Sequence, residues 1–258
     1  MKRFNKEVRN ENDAVELLQS VISSAREAID VIAEAFRKPW SANPTTSERA
    51  VFGHWLVYAV RHLVAIIILC EERDLSMVAN VHRRQMFEIF LQVRYYASVQ
   101  KDKRENLAEK ISAWGCIEYL EKLESLKDHD DVKNGYDYVL EQLTHHNQNT
   151  IDEIKSERER RIFNWFGRSF SKLAVDVSKE GEDLRGAYQL ISADLHGTWR
   201  LALDVANPQP GILDFRGYPD KTTMYRWAAD LLDQSTILYV NTWNEVAVVL
   251  GAPEVYLE

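Results

Sequence analysis

The sequence predicts an all-α protein, a multi-helix bundle of seven to nine helices, and three observations predict it. Apolar residues recur at three- and four-residue spacing over long stretches, the period of one helix face. Punctuation is sparse, with 10 Gly and 6 Pro in 258 residues, and three of the prolines (Pro208, Pro210, Pro219) fall in one segment. No stretch alternates apolar and polar residues as a half-buried strand would.

Val15, Leu18, Ile22, Ala25, Ile29, Ile32 and Phe36 draw one apolar stripe down a first helix of about seven turns. Pro39 ends it. Thr46 or Ser47 is the expected cap of a second helix, which runs to about residue 73. Ser76 is expected to cap a third, to about residue 100, with Met86, Ile89, Val93 and Tyr96 on its core face. Asp102 is expected to cap a fourth, carrying Leu107, Ile111, Trp114, Ile117 and Leu120. The polar stretch DHDDVKNGYD opens a fifth, continued by Tyr138, Leu140, Leu143, Ile151 and Ile154, with a break at HHNQN. A short helix over residues 171–177 and the helix holding Tyr188 to His196 follow. Residues 207–221 are the one long irregular segment, and a final helix covers about residues 222–250. With no internal repeat, the expectation is a single helical domain over 1–258, its motif-bearing core at about 51–204.

Bulk properties narrow the function classes. A net charge of −8 argues against a protein that coats nucleic acid through its overall field, while leaving room for a local basic patch. Cys70 and Cys116 stand far apart with no CxxC, which fits two reduced, packed cysteines in the cytosol. The basic N-terminus lacks the apolar run of a signal peptide. Residues 51–70 are long enough to span a membrane, but Arg61 and His62 near the middle favour a buried core helix. The expectation is a cytoplasmic protein without a membrane partner. No Glu precedes a His by three residues, and HExxH, GxxxxGK[ST] and GxGxxG are absent, so neither metal nor cofactor is expected. His145 and His146, near Asp152 and Glu153, read as a loose, solvent-facing cluster.

Two polar rows interrupt apolar helices. Arg84 and Glu88 stand four apart in HRRQMFEIF, with Leu91 and Tyr95 following at helical spacing. Tyr188, Ser192 and His196 stand four apart in YQLISADLHG. Positions i and i+4 share a helix face. Each row therefore offers polar groups in line, either as ties between helices or as one shared site. In the shared-site reading Arg84 binds an anion, Glu88 orients it or acts as a base, and Tyr95, Tyr188, Ser192 and His196 complete the lining. A third feature is the basic, aromatic-laced segment KSERERRIFNWFGRSFSK at 155–172. Its aromatics at helical spacing are expected in the core, with single-strand nucleic-acid binding as the competing reading.

At these residues the chain resembles an all-helical bacterial family of unknown function. Its marks are a helix with Arg-x-x-x-Glu followed by aromatics, here Arg84, Glu88, Tyr95 and Tyr96, and a later helix with Tyr-x-x-x-Ser-x-x-x-His, here Tyr188, Ser192 and His196. The resemblance implies that both patterns belong to one site, and it supplies no activity. More distantly the chain is similar to the helical HEPN proteins, many of which serve toxin or phage-defence systems. Their ribonucleases share an Arg-x(4–6)-His motif, and Arg49 and His54 stand at that spacing in RAVFGH. His196 has no such Arg, so a nuclease built on it needs Arg84 to act across helices.

The leading functional expectation is a binding or regulatory protein whose Arg84, Glu88, Tyr188, Ser192 and His196 line a pocket for a small anionic or nucleotide-like ligand. The competing one is a metal-independent ribonuclease acting on RNA, with His196 as general acid or base and Arg84 stabilising the phosphorane, Glu88 assisting. The third is a homodimeric scaffold, suggested by the heptad-like stripe of the first helix.

Overall fold

The computed structural model describes residues 8–38, 44–71, 78–162, 164–195 and 221–256. Among the described residues are nine α-helices, one short 3-10 helix and no strand. The helices are α1 (Glu11–Arg37), α2 (Thr46–Glu71), α3 (Ala79–Ser98), α4 (Lys101–Leu123), α5 (Asp130–Thr144), α6 (Gln148–Glu159), α7 (Phe170–Val177), α8 (Leu184–Leu195) and α9 (Lys221–Leu250). The all-α architecture is the one the apolar periodicity predicts. Contacts divide the chain into two compact units, one of Met1–Asn43, Trp55–Ala97 and Phe170–Glu258, the other of Pro44–His54 and Ser98–Ser169.

In the first unit α1 packs along α9. Leu18, Ile22, Ala25 and Ile32 of the expected stripe are buried, and Val15, Ile29 and Phe36 are half-buried at its edge. Phe36 meets the enclosed indole of Trp243 edge-on, with ring centroids 6.3 Å apart. Removing surfaces of this size from water is the main favourable term in folding. Gly251 ends α9 in the left-handed region (φ 61°), and the Ala252 amide donates back to the Ala247 carbonyl at 2.9 Å. That is a Schellman ending, where glycine carries no Cβ penalty. The tail then folds over α9: Trp243 Nε1 donates to Pro253 O, and the Asn244 amide bonds the Val255 backbone both ways.

α2 contributes Leu63, Ile66 and Cys70 to this core, and α3 contributes Leu91, Val93 and Tyr96. Ser47–Glu71 is long and apolar enough to cross a membrane, and 44% of its most apolar window is buried inside the fold. Burial pushes the Cys70 thiol up to about 12, so it packs as a protonated side chain, donating weakly to Ala228 O.

In the second unit α4 packs against α5 and α6. The core is Ala113, Trp114, Ile117, Ile151 and Ile154, with Leu143, Ile162 and Trp165 packed on it. Lys110 lies between Glu153 and Glu157 at 2.8 Å from each. Arg158 pairs with Glu121 and sits 5.4 Å over the Trp114 ring. The basic, aromatic segment is thus partly spent on structure, as Phe166 is buried and Arg168 bonds back to Asn164 and Phe166. Phe163 lies outside the described residues.

The helix caps differ from expectation at two places. Thr45, rather than Thr46 or Ser47, caps α2: its Oγ1 accepts from the Glu48 amide at 3.2 Å, and Glu48 Oε2 accepts from the Thr45 amide at 3.1 Å. This reciprocal box needs a Glu three residues after the cap, which only Thr45 has. α4 starts at Lys101 with Gln100 at its cap position and no side-chain cap bond, so Asp102 lies inside the first turn, where its charge favours the helix dipole. The Ser76 cap lies outside the described residues. The break at HHNQN is present, with Asn147 capping α6. Replacing Thr45 by alanine is expected to cost about 1 kcal/mol in urea unfolding.

Candidate functional site

Three elements of the first unit position the candidate site. α7 packs on α8. α8 opens at Asp183, whose Oδ1 accepts from the Gly186 amide at 2.8 Å as an N-cap does. The preceding residue, Glu182, is gripped by Arg94 of α3, which also approaches Glu245 of α9. The turn before α8 is therefore tied to α3 and α9, and Tyr188 follows one turn into the helix.

Tyr188 meets both members of the α3 row. Arg84 Nε donates to Glu88 Oε1 at 3.0 Å, Arg84 Nη2 donates to Tyr188 Oη at 3.2 Å, and Tyr188 Oη donates to Glu88 Oε1 at 3.1 Å. The three groups close a triangle. Glu88 side chain is 12% exposed and Arg84 25%, so the pair is half-sheltered and the guanidinium still reaches water. Desolvation alone would weaken the hold of Arg84 on its proton; the hydrogen bond to Tyr188 and the Glu88 charge outweigh it and raise its pKa. Arg84 Nη1 forms no hydrogen bond among the described residues.

Two aromatic rings pack near the phenol ring. Phe87 of α3 stacks at 6.3 Å and 30°, and Phe170 of α7 lies at 6.1 Å and 35°. The Arg84 guanidinium is 5.7 Å from the same ring. One turn beyond Tyr188, Ser192 Oγ is shielded from solvent and has no hydrogen-bond partner among the described residues. Such an orphaned hydroxyl costs stability unless something bonds it.

The structure thus brings together Arg84, Glu88 and Tyr188, with Ser192 next along α8. His196 lies outside the described residues. Tyr95 sits half-buried on α3, two turns and about 10 Å along the axis from Glu88. Tyr96 is core, edge-on to Trp55 at 5.6 Å. Arg49 and His54 are exposed on the first turns of α2. His146, expected in solvent with His145, is instead half-buried: its Nε2 lies 3.3 Å from Ser112 Oγ, and burial lowers its pKa. The rings of Phe87 and Phe170 and the Arg94 network are what sequence reasoning missed. Phe87 carried one available signal, as it lies at i+3 from Arg84.

Chemically, the triangle offers a fixed cation beside a sheltered carboxylate and an aromatic face. Arginine so oriented suits the planar oxygens of carboxylate or phosphate. Two concavities lie elsewhere in this unit. One, of about 460 Å³, is lined by Leu18, Ile22, Arg26, Glu71 and Tyr225; the other, of about 250 Å³, by Phe90, Arg94, Lys179 and Glu245. Neither includes Arg84. Among the described residues no group of three or more His, Cys, Asp or Glu is placed to hold a metal ion.

A protein-family model matches residues 49–210, the stretch that holds both rows. The chain belongs to that family, a family of unknown function (DUF5677). No curated protein and no solved structure matches it.

Proposed function

We propose that the chain binds a small anionic or nucleotide-like ligand at Arg84, Glu88 and Tyr188, in a binding or regulatory role in the cytoplasm. The observation that carries this reading is the closed triangle. Glu88 and Tyr188 spend two of the Arg84 donors on orientation and leave Nη1 for an incoming oxygen. The Phe87 and Phe170 rings near Tyr188 supply apolar support beside it, and Ser192 Oγ is a further hydrogen-bonding group on the same helix as Tyr188. Ligand sites commonly combine an apolar lining with a few placed polar groups.

The test is a thermal-shift screen of the full chain with inorganic phosphate, mononucleotides and dinucleotides, followed by calorimetry on any hit. A ligand present at a hundred times its Kd adds about 2.7 kcal/mol to stability, which is easily seen as a rise in Tm. Arg84→Ala should weaken binding at least about tenfold, the loss of one charge-assisted hydrogen bond. Equal affinity in wild type and Arg84→Ala would remove the site. A mixed RNA pool is incubated in parallel. Cleavage by wild type that disappears in Arg84→Ala and His196→Ala would replace this reading with the ribonuclease.

A further inference from the structure

His62 of α2 and His82 of α3 face each other in the first unit, and neither takes part in the triangle's hydrogen bonds. Their Nδ1 atoms are 2.9 Å apart, and the ring centroids are 5.2 Å apart at 43°. Two nitrogens this close share one proton or one acid of another kind. Both side chains are half-buried, so they reach solvent without being free in it. The Tyr58 ring lies 6.4 Å from His62, and Arg61 sits 5.9 Å over that ring, its exposed charge open to screening.

We propose that His62 and His82 form a two-histidine site for a divalent transition metal of the zinc, nickel or copper class, each ligating through Nδ1. Imidazole is the ligand these ions favour. In a tetrahedral shell with metal–nitrogen bonds of about 2.0–2.1 Å, two nitrogens stand about 3.3 Å apart. The pair at 2.9 Å must open by about 0.4 Å, a small rotation of two rings. In the neutral pair one ring carries its proton on Nδ1 and the other on Nε2, so binding moves that Nδ1 proton, by way of solvent, to Nε2 of the same ring and releases none overall. No third protein ligand lies at hand among the described residues, so the remaining positions belong to water or to an exchangeable ligand. That makes the site open rather than structural, as sites with free positions are. The sequence gives no hint of it. The two histidines are twenty residues apart and meet only because α2 and α3 pack together.

The test titrates the full chain with Zn²⁺ alone, read by calorimetry and by competition with a chromogenic chelator, for wild type, His62→Gln and His82→Gln. The expected result is one Zn²⁺ per chain in wild type. Each variant should bind at least about tenfold more weakly, since even outer-shell losses cost that much. A fold check by circular dichroism accompanies each. Because a variant can misfold, Ni²⁺ is also added to wild type, and the imidazole proton resonances of His62 and His82 should broaden before those of the other histidines. Zn²⁺ uptake unchanged in both variants, no saturation below about 1 mM, or first broadening at another histidine would each overturn the site.

Discussion

Arg94→Ala is expected to cost about 3–5 kcal/mol of folding stability, the range for breaking a buried ion pair from one side. Arg94 is 5% exposed. Nη2 donates to Glu182 Oε1 at 3.1 Å, Nη1 lies 2.9 Å from Glu182 Oε2, and Nε lies 3.3 Å from Glu245 Oε1. Its cation also lies 5.5 Å from the Phe90 ring. Truncation leaves two carboxylates facing an empty volume. Glu182 is 37% exposed and can turn to water, while Glu245 is 17% exposed and keeps Lys179 at 3.0 Å, so the low end of the range is the better expectation. Arg94→Met combined with Glu182→Gln and Glu245→Gln should recover most of the loss, because no buried charge is then left unpaired; Lys179, which loses Glu245, is mostly exposed to water. Urea unfolding decides it, and a loss below about 1 kcal/mol would mean the network behaves like a surface pair.

The same network has a pH signature. Desolvation pushes the Glu182 carboxyl up, but the Lys179 amide and the Arg94 guanidinium outweigh it and hold the carboxyl below the usual range. A carboxyl whose pKa is lower folded than unfolded binds fewer protons in the native state. Its contribution is complete above the unfolded value near 4.3 and is lost as pH falls through the lower folded value. The acid limb of the stability curve should therefore be shallower in Arg94→Ala than in wild type.

How much of this was legible in the sequence depends on the distance over which each feature is decided. The α1 stripe and the Arg84–Glu88 pair are set within one helix, where spacing alone dictates the face. The α2 cap was legible too, since among Thr45, Thr46 and Ser47 only Thr45 has a Glu at the third position beyond it. The grip of Arg94 on Glu182, 88 residues away, was not. Neither was Phe170 against Tyr188, because residues 155–172 carry four aromatics and nothing local says that one of them reaches α8. His146 was misread for the same reason: its partner Ser112 is a tertiary neighbour, invisible in the polar composition of HHNQN. Side-chain rows on one helix were readable, and the partners brought to them by packing were not.

Tyr188→Ala should remove about 2–3 kcal/mol, less than a fully buried ring because Tyr188 is half-buried, and abolish ligand binding together, whereas Tyr188→Phe should separate the two effects. The alanine variant deletes a ring packed near both Phe87 and Phe170 and leaves a gap that neighbouring helices only partly fill. It also strips Glu88 and Arg84 of a shared hydrogen-bond partner. The phenylalanine variant keeps the ring and the stack and removes one hydroxyl, which donates to Glu88 and accepts from Arg84. Its expected cost is about 1–2 kcal/mol, with the 3.0 Å ion pair intact. If the hydroxyl serves chiefly to aim the guanidinium, Tyr188→Phe should weaken ligand binding by more than its stability loss suggests. A cycle of Tyr188→Phe and Arg84→Met then shows coupling in binding as well as in folding, as contacting residues do. Coupling in folding alone, with affinity unchanged in Tyr188→Phe, would make the triangle a tie between α3 and α8 and would leave Arg84 to bind the ligand without it.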